Sequence, residues 1–385
     1  MKILMICKVS PLHSFGTEIR AREVARQMVA NGHDVTVICA KGKADEPSEQ
    51  MWNGVRIIAR RVMPDSVLRR FPVPHYLIFA ASSAVLALHV LRFLSSNRFD
   101  LIREDIAPVP SSGLLSLVRL PFARRTVVVQ LFAETLRRGI DLYGVFYGPM
   151  TYMFGVLLRK GWLRYDRILA VSPYWTEILA ASTAIRDRVS FSPNGVDLER
   201  FGGAARIRVA PRQIRKLLNV GRLTTTKGQR FLIEAIANLK DRYPDITLDV
   251  YGEGSLEAEL RAQAIKMGVA GQIRFFATVA HAEMPGVFAD HDAFVMPSLF
   301  EGFSLALIEA LASGIPVVAT AIPAHTSILV SDEALWCDVG KAESLTRALT
   351  QLIENPEAAK ARALRAIALA RSFDWHSIFA QEIKE

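Results

Sequence analysis

Two stretches of this chain share one grammar, an apolar run, a loop with glycine and an amphipathic helix, and that alternation restricts the fold more than any other feature. Met1-Lys2-Ile3-Leu4-Met5-Ile6-Cys7 turns polar at Lys8 and reads as a buried strand. A loop holding Gly16 follows, and apolar residues then recur at helical spacing from Ile19 through Val29. Asn31-Gly32-His33-Asp34 stops that helix, and Val35-Thr36-Val37-Ile38-Cys39 returns as a second strand. The unit is β-α-β. Further strands are expected at 55–59, 100–103, 126–130 and 167–171, with helices between them, so the natural solution is a mostly parallel sheet. The alternation restarts at Leu217-Leu218-Asn219-Val220. It continues through the loop 221–228, a helix from Gln229 to Leu239, strands at 246–250, 272–276, 293–296 and 315–319, and helices at 255–267 and 304–313.

At 385 residues and 51% apolar composition the chain is too long for one core. The expected division is a domain over 1–200, a second over 201–370, and a closing segment 371–385 that packs back toward the first. Residues 201–212, with Gly202-Gly203 and Pro211, are expected as a hinge. Ligands of open α/β sheets sit beyond the carboxyl ends of the strands, so an interdomain cleft is the expected site.

The net charge of +9 is unevenly placed: residues 1–200 carry 27 Lys and Arg against 17 Asp and Glu, and residues 201–385 carry 20 against 21. A basic first half suits an anionic partner such as a lipid surface or a phosphorylated acceptor. The segment 60–79 sets Arg60, Arg61, Arg69 and Arg70 among apolar residues, and 157–165 repeats that mixture, which fits peripheral contact with a membrane surface as well as ordinary helix packing. Zinc-finger spacing and aromatic RNA-binding signatures are absent, so nucleic acid is not the expected partner. Residues 77–91 form the most apolar run, but fifteen residues fall short of the roughly 20 that cross a bilayer, and a buried or interfacial helix is expected. Cys7, Cys39 and Cys337 are isolated, which argues against a disulfide framework or a zinc site and for a reducing, cytoplasmic setting, peripheral at most to the inner face of a membrane.

The chemistry concentrates in the second half. Arg222 and Lys227 bracket the threonine-rich turn Gly221-Arg222-Leu223-Thr224-Thr225-Thr226-Lys227-Gly228 after a strand, where two cations could hold a diphosphate and stabilise it as a leaving group; the plain alternative is a solvated basic loop. Glu301 and Glu309 stand eight residues apart, one in a loop and one inside an apolar helical run that begins near Ser304 and Leu305. Carboxylates there can accept hydrogen bonds from sugar or ribose hydroxyls, and the helix start, with Gly302, Phe303, Ser304 and Leu305, favours a phosphate. Glu309 is flanked by Leu305, Leu307, Ile308 and Leu311 and needs partners if buried, whereas Glu301 could equally be a surface carboxylate. Gly252 and Gly254 follow a strand and could admit a nucleotide close to the backbone or simply make a tight turn; Gly16 offers a similar contact at the first β-α connection.

In the first half, Glu104, Gln130 and Glu134 lie at expected strand ends and are acceptor-side candidates, with salt bridges to nearby arginines as the bland reading. His13, on the loop after the first strand, is a further acceptor-side candidate; His33 reads as structural, and His325, after Pro323-Ala324, as a group approaching the donor. Asn194-Gly195-Val196-Asp197 reads as a turn, with Asp197 capping the segment after it. No metal-ligand spacing is present, so no bound metal or cofactor is expected.

Taken together these residues resemble retaining glycosyltransferase family 4, the glycosyl transferases group 1, over nearly the whole chain. The family's Gly-Arg-Leu and Lys-Gly elements match Gly221-Arg222-Leu223 and Lys227-Gly228, and its Glu-x7-Glu element matches Glu301 to Glu309. Gly314-Ile315-Pro316-Val317-Val318-Ala319-Thr320 also follows the pattern. The resemblance implies a GT-B fold of two facing Rossmann-like α/β domains with parallel sheets. It implies diphosphate contacts for Arg222 and Lys227, donor-sugar contact for Glu301 and ribose contact for Glu309. The implied reaction is metal-independent transfer of a sugar, with retention, from a UDP- or GDP-linked donor to an acceptor hydroxyl in glycolipid, polysaccharide or other glycoconjugate synthesis. Departures lie at Phe15-Gly16, where the family often has Gly-Gly, at Arg103-Glu104 and Gln130, where it often has histidines, and at Ile322-Pro323-Ala324-His325, where it has a Gly-Gly stretch. A nucleotide-sugar 2-epimerase and a non-catalytic nucleotide-sugar-binding protein are the competing readings. An oxidoreductase is disfavoured, because the first β-α connection lacks Gly-x-Gly-x-x-Gly.

Overall fold

The computed structural model describes residues 1–12, 16–41, 45–62, 75–105, 123–129, 163–205, 213–330 and 332–384. They divide into two compact units, Met1–Pro193 and Asn194–Glu385.

The first unit is built on an eight-stranded sheet. Its strands are β1 (Lys2–Val9), β2 (Asp34–Ala40), β3 (Glu49–Trp52), β4 (Val55–Arg60), β5 (Leu101–Asp105), β6 (Arg124–Val129), β7 (Arg167–Ala170) and β8 (Val189–Phe191), in the order β3-β4-β2-β1-β5-β6-β7-β8. Every pairing is parallel except β3 with β4. That hairpin turns at Asn53 and Gly54, both with positive φ (43° and 81°), the backbone that a two-residue hairpin loop requires. The expected strand 35–39 is buried along its length because parallel sheets are covered on both faces. On one face Leu4, Ile6, Ile38 and Ile58 pack against Leu86, Ala87, Val90 and Leu94 of the helix His75–Ser96. The apolar run 77–91 thus lies within a helix whose buried residues serve the core of this sheet, and no described helix is long and apolar enough to cross a membrane. Of the basic segments, 63–74 and 157–162 lie outside the described residues.

The second unit carries a six-stranded, wholly parallel sheet: β9 (Lys216–Val220), β10 (Thr247–Tyr251), β11 (Ile273–Phe276), β12 (Ala293–Met296), β13 (Val317–Thr320) and β14 (Leu335–Cys337), in the order β11-β10-β9-β12-β13-β14. Successive side chains on a strand face opposite ways, and the two cores follow that alternation. Leu217, Val295 and Val318 join Leu232, Ile233 and Ile236 of the helix Gln229–Leu239 and Leu345 and Leu349 of Ala342–Glu354. Leu218, Phe294, Met296, Val317 and Ala319 join Leu307, Ile308 and Leu311 of the helix Leu305–Ala312 on the other face. Phe201, Phe373 and Ile378 complete that second core, and an isolated bridge pairs Val196 with Asp374.

The expected hinge is partly a helix. Leu198–Ala205 is helical, with the Asp197 carboxylate accepting the Arg200 N–H at 3.1 Å, so Gly202 sits inside a regular element, and 206–212 lie outside the described residues. All three cysteines are buried and free; burial raises their thiols, Cys39 and Cys337 to about 12.

Candidate active site

The turn after β9 is assembled by backbone contacts with two other loops. Gly221 N–H donates to the Tyr251 carbonyl at 3.0 Å, Leu223 N–H to Glu253 at 2.9 Å, and Leu256 N–H to Leu223 at 3.1 Å. A Cβ on Gly252 would lie 2.0 Å from the Gly221 carbonyl oxygen, and one on Gly254 2.2 Å from that of Leu223. These two glycines therefore let one loop lie on another, the tight-turn reading of the pair.

The same turn closes against the loop after β12. Gly228, left-handed at φ 68°, leaves no room for a side chain, since a Cβ would stand 2.0 Å from the Pro297 carbonyl oxygen. Leu299 N–H donates to the Thr226 carbonyl at 2.8 Å. This seating brings Lys227 Nζ within 2.5 Å of Glu301 Oε1, and the Ser298 hydroxyl donates to the same oxygen at 2.8 Å. Glu301 is 7% exposed, so the structure excludes the surface-carboxylate reading. Burial alone pushes its carboxyl up, but the Lys227 charge and hydrogen bond, with His325 and the Ser298 hydroxyl, outweigh it and hold Glu301 below the ordinary carboxylate value. Lys227 keeps 18% of its side chain exposed. Arg222 is exposed and forms no ion pair among the described residues; its backbone carbonyl accepts from Gln229 Nε2 at 3.1 Å.

Glu301, Gly302 and Phe303 lead directly into the helix Leu305–Ala312. Ser304 caps it, its hydroxyl oxygen accepting the Leu307 N–H at 3.3 Å. Glu309, 5% exposed and about one turn into that helix, is held by a residue that no sequence motif singles out: His281 Nε2 stands 2.6 Å from Glu309 Oε1. His281 lies in the loop before the helix Met284–Ala289, with no periodic or spaced signal around it. The only pointer in the sequence is indirect, since a carboxylate among leucines needs a partner.

The loop at Glu301 is anchored to β13. Thr320 Oγ1 donates to the Ser298 carbonyl at 2.5 Å, and the Thr320 carbonyl is 3.0 Å from His325 Nδ1. His325, in the short helix Pro323–Thr326, is 1% exposed, and its Nε2 is buried without a hydrogen-bond partner among the described residues.

In the first unit, Gly16 is the first residue of the helix Gly16–Ala30 and is exposed. Glu104 is fully buried at the end of β5. Beside it Arg103 grips Asp105 through two hydrogen bonds, at 2.6 and 3.0 Å, and Arg20 lies 3.9 Å from the same carboxylate. Arg20 also donates to the Ser192 hydroxyl at 2.8 Å and to the Pro193 carbonyl. Arg103 and Asp105 thus form a buried ion pair at the end of β5. His13, Gln130 and Glu134 lie outside the described residues. No cluster of three or more His, Cys, Asp or Glu side chains among the described residues could hold a metal ion.

Sequence and structure comparisons agree with this layout. The family profile "Glycosyltransferase Family 4" matches residues 16–200, and "Glycosyl transferases group 1" matches residues 206–368. A phosphatidyl-myo-inositol mannosyltransferase of Mycolicibacterium smegmatis is 26% identical over 389 residues, spanning 99% of this chain and 92% of its own length. Among solved structures, sucrose-phosphate synthase from Thermosynechococcus elongatus superposes with a TM-score of 0.83 at 18% identity, covering 100% of this chain and 98% of that one. HepE of Anabaena in complex with UDP-glucose gives 0.73 at 19% identity, covering 100% and 98%.

Proposed function

This chain belongs to glycosyltransferase family 4 and has the GT-B fold, and from that premise we propose that it is a retaining transferase moving a sugar from a UDP- or GDP-linked donor to an acceptor hydroxyl. The observation that carries the reading is the convergence of Lys227, Ser298 and Glu301 at the entrance of the helix that bears Glu309.

Each group has a task that its surroundings support. Lys227, partly exposed, and Arg222, exposed and without an ion pair among the described residues, neutralise the diphosphate as it departs, which lowers the barrier because the charge develops there. This leaves the leaving group's charge to side chains and makes a metal unnecessary. Glu301, kept ionised, accepts hydrogen bonds from donor-sugar hydroxyls. Glu309, oriented by His281, takes the ribose diol. The acceptor attacks from the face the diphosphate leaves, a phosphate oxygen receives its proton, and no protein nucleophile is needed. The two glutamates therefore do not act as the acid and base of a hydrolase, which must flank one glycosidic bond.

The named relatives bear on the substrate class. One is a phosphatidyl-myo-inositol mannosyltransferase, and one neighbour was solved with UDP-glucose. With the excess of 27 basic over 17 acidic residues in 1–200, these favour an acceptor displayed at an anionic membrane surface.

The test is a turnover screen of UDP- and GDP-sugars against lipid and saccharide acceptors, with product mass as readout. One pair is expected to gain the mass of a single sugar, and Glu301→Gln and Arg222→Ala to impair that gain. Redox turnover, or sugar epimerisation without acceptor, would overturn the proposal.

A further inference from the structure

Three buried residues, His325, Thr320 and Ser298, form one connected chain behind the Lys227–Glu301 pair. The ring of His325 is tied to the Thr320 carbonyl at 3.0 Å, Thr320 Oγ1 donates to the Ser298 carbonyl at 2.5 Å, and Ser298 Oγ donates to Glu301 at 2.8 Å. A carbonyl only accepts, so His325 Nδ1 carries the proton and Nε2 of the neutral ring holds a lone pair. That nitrogen is buried and has no hydrogen-bond partner among the described residues. An enclosed acceptor left bare is costly, which calls for a reason to keep a histidine there.

The reason lies in what Lys227 is asked to do. Without donor, its ammonium is committed to Glu301, so lysine, glutamate and neutral ring sum to zero charge. A nucleotide sugar brings an anionic diphosphate to the same lysine, and the buried carboxylate then shares the one cation that pairs with it among the described residues. An ionised group enclosed without sufficient counter-charge is strongly unfavourable.

We propose that His325 is the second counter-charge of Glu301: when Lys227 engages the diphosphate, His325 takes a proton from solvent at Nε2 and keeps Glu301 ionised and in place. The inference rests on the reading of Lys227 as a diphosphate ligand. The charged groups that act on the ring are Glu301, from the loop after β12, and Lys227, from the turn after β9. In the donor-free protein burial lowers the ring's proton affinity and Lys227 lowers it further, against the opposing pull of Glu301 and the Thr320 carbonyl, so the ring starts neutral. An arriving diphosphate shifts that balance toward the imidazolium. His325 is a positioning residue here, acting on the donor through Glu301.

The experiment is calorimetric titration of the full chain with UDP-glucose and with GDP-mannose at about pH 6.5, in two buffers of different ionisation enthalpy. Nucleotide sugars do not titrate in this range, so net proton exchange reports the protein. The native protein is expected to take up a proton fraction on binding, and His325→Asn, which keeps an N–H for the Thr320 carbonyl but has no titratable nitrogen, to bind without uptake. Donor affinity of the native protein should strengthen as pH falls toward this range, while that of His325→Asn stays flat. His325→Gln serves as a second non-titrating variant if the first folds poorly. Binding without uptake by the native protein, or equal uptake in His325→Asn, which would place the proton on Glu301, overturns the inference but spares the proposed function. Failure of the native protein to bind either nucleotide sugar overturns both.

Discussion

Lys227 Nζ lies 2.5 Å from Glu301 Oε1 across 74 residues of sequence, with 18% and 8% of the two side chains exposed. Removing one partner leaves the other charged and enclosed, so Lys227→Met should cost about 3 kcal/mol of unfolding free energy. The double variant Lys227→Met/Glu301→Gln should recover much of that loss, because no uncompensated charge remains. Denaturant titration of both singles and the double gives the coupling. Additive effects would mean that the ion pair contributes little in solution.

The same site fixes how stability responds to acid. The folded chain holds His325 below its reference value of 6.5, through burial first and Lys227 second, so the unfolded chain binds more protons as the imidazole range is entered. This contribution is complete above 6.5 and is lost as pH falls from there toward the folded value. Glu301, held below 4.5, responds at lower pH: its contribution is present above 4.5 and lost as pH falls through its folded value. His325→Asn should therefore flatten the upper part of the acid limb and leave the lower part, with denaturation midpoints from neutral pH down to about pH 5 as the measure. An unchanged profile would contradict the burial of a titratable ring.

Much of this architecture is legible in the sequence. The expected strands at 35–39, 55–59 and 293–296, and the helix from Gln229 to Leu239, fall on the observed elements because buried parallel strands read as largely apolar runs and amphipathic helices carry a 3.6-residue period. The short strands β3, β8 and β14 escape it: three or four residues set no period, and β3 is a partly exposed edge. Asn53-Gly54 is nonetheless a readable hairpin signal. At the site, residues fixed by local sequence, such as Ser304 at its cap and Lys227 in its turn, are placed by spacing alone. His281 and Thr320 reach their partners only through tertiary packing, and sequence spacing has no access to that.

Four glycines of the second unit fall into two kinds. Gly228 and Gly252 have φ of 68° and 149°, and a Cβ on either would stand 2.0 Å from a carbonyl oxygen. Gly228→Ala and Gly252→Ala should each destabilise by roughly 3 kcal/mol and displace the 221–228 turn. Gly202 and Gly286 sit in helices with nothing within 4 Å of a Cβ, so Gly202→Ala and Gly286→Ala should stabilise by about 0.5–1 kcal/mol. Thermal unfolding of the four variants separates the classes, and similar losses in all four would refute the loop-on-loop account.

Glu309 is held by His281 at 2.6 Å and lies about one turn inside the helix Leu305–Ala312, whereas Glu301 stands in the loop before it, so the proposed partner of Glu309 is the part of the donor remote from the reacting carbon. A contact of that kind persists from the bound donor to the transition state, and losing it weakens both equally. Glu309→Gln should therefore raise the donor KM about tenfold, roughly 1.4 kcal/mol, with kcat nearly unchanged. His281→Phe keeps the ring volume and removes the donor to the carboxylate, so it should move KM in the same direction and also lower stability, since a buried carboxylate loses its partner. Initial-rate kinetics over a range of donor concentration tests this. A fall in kcat at constant KM would instead place Glu309 at the reacting centre and reverse the assignment of the two glutamates.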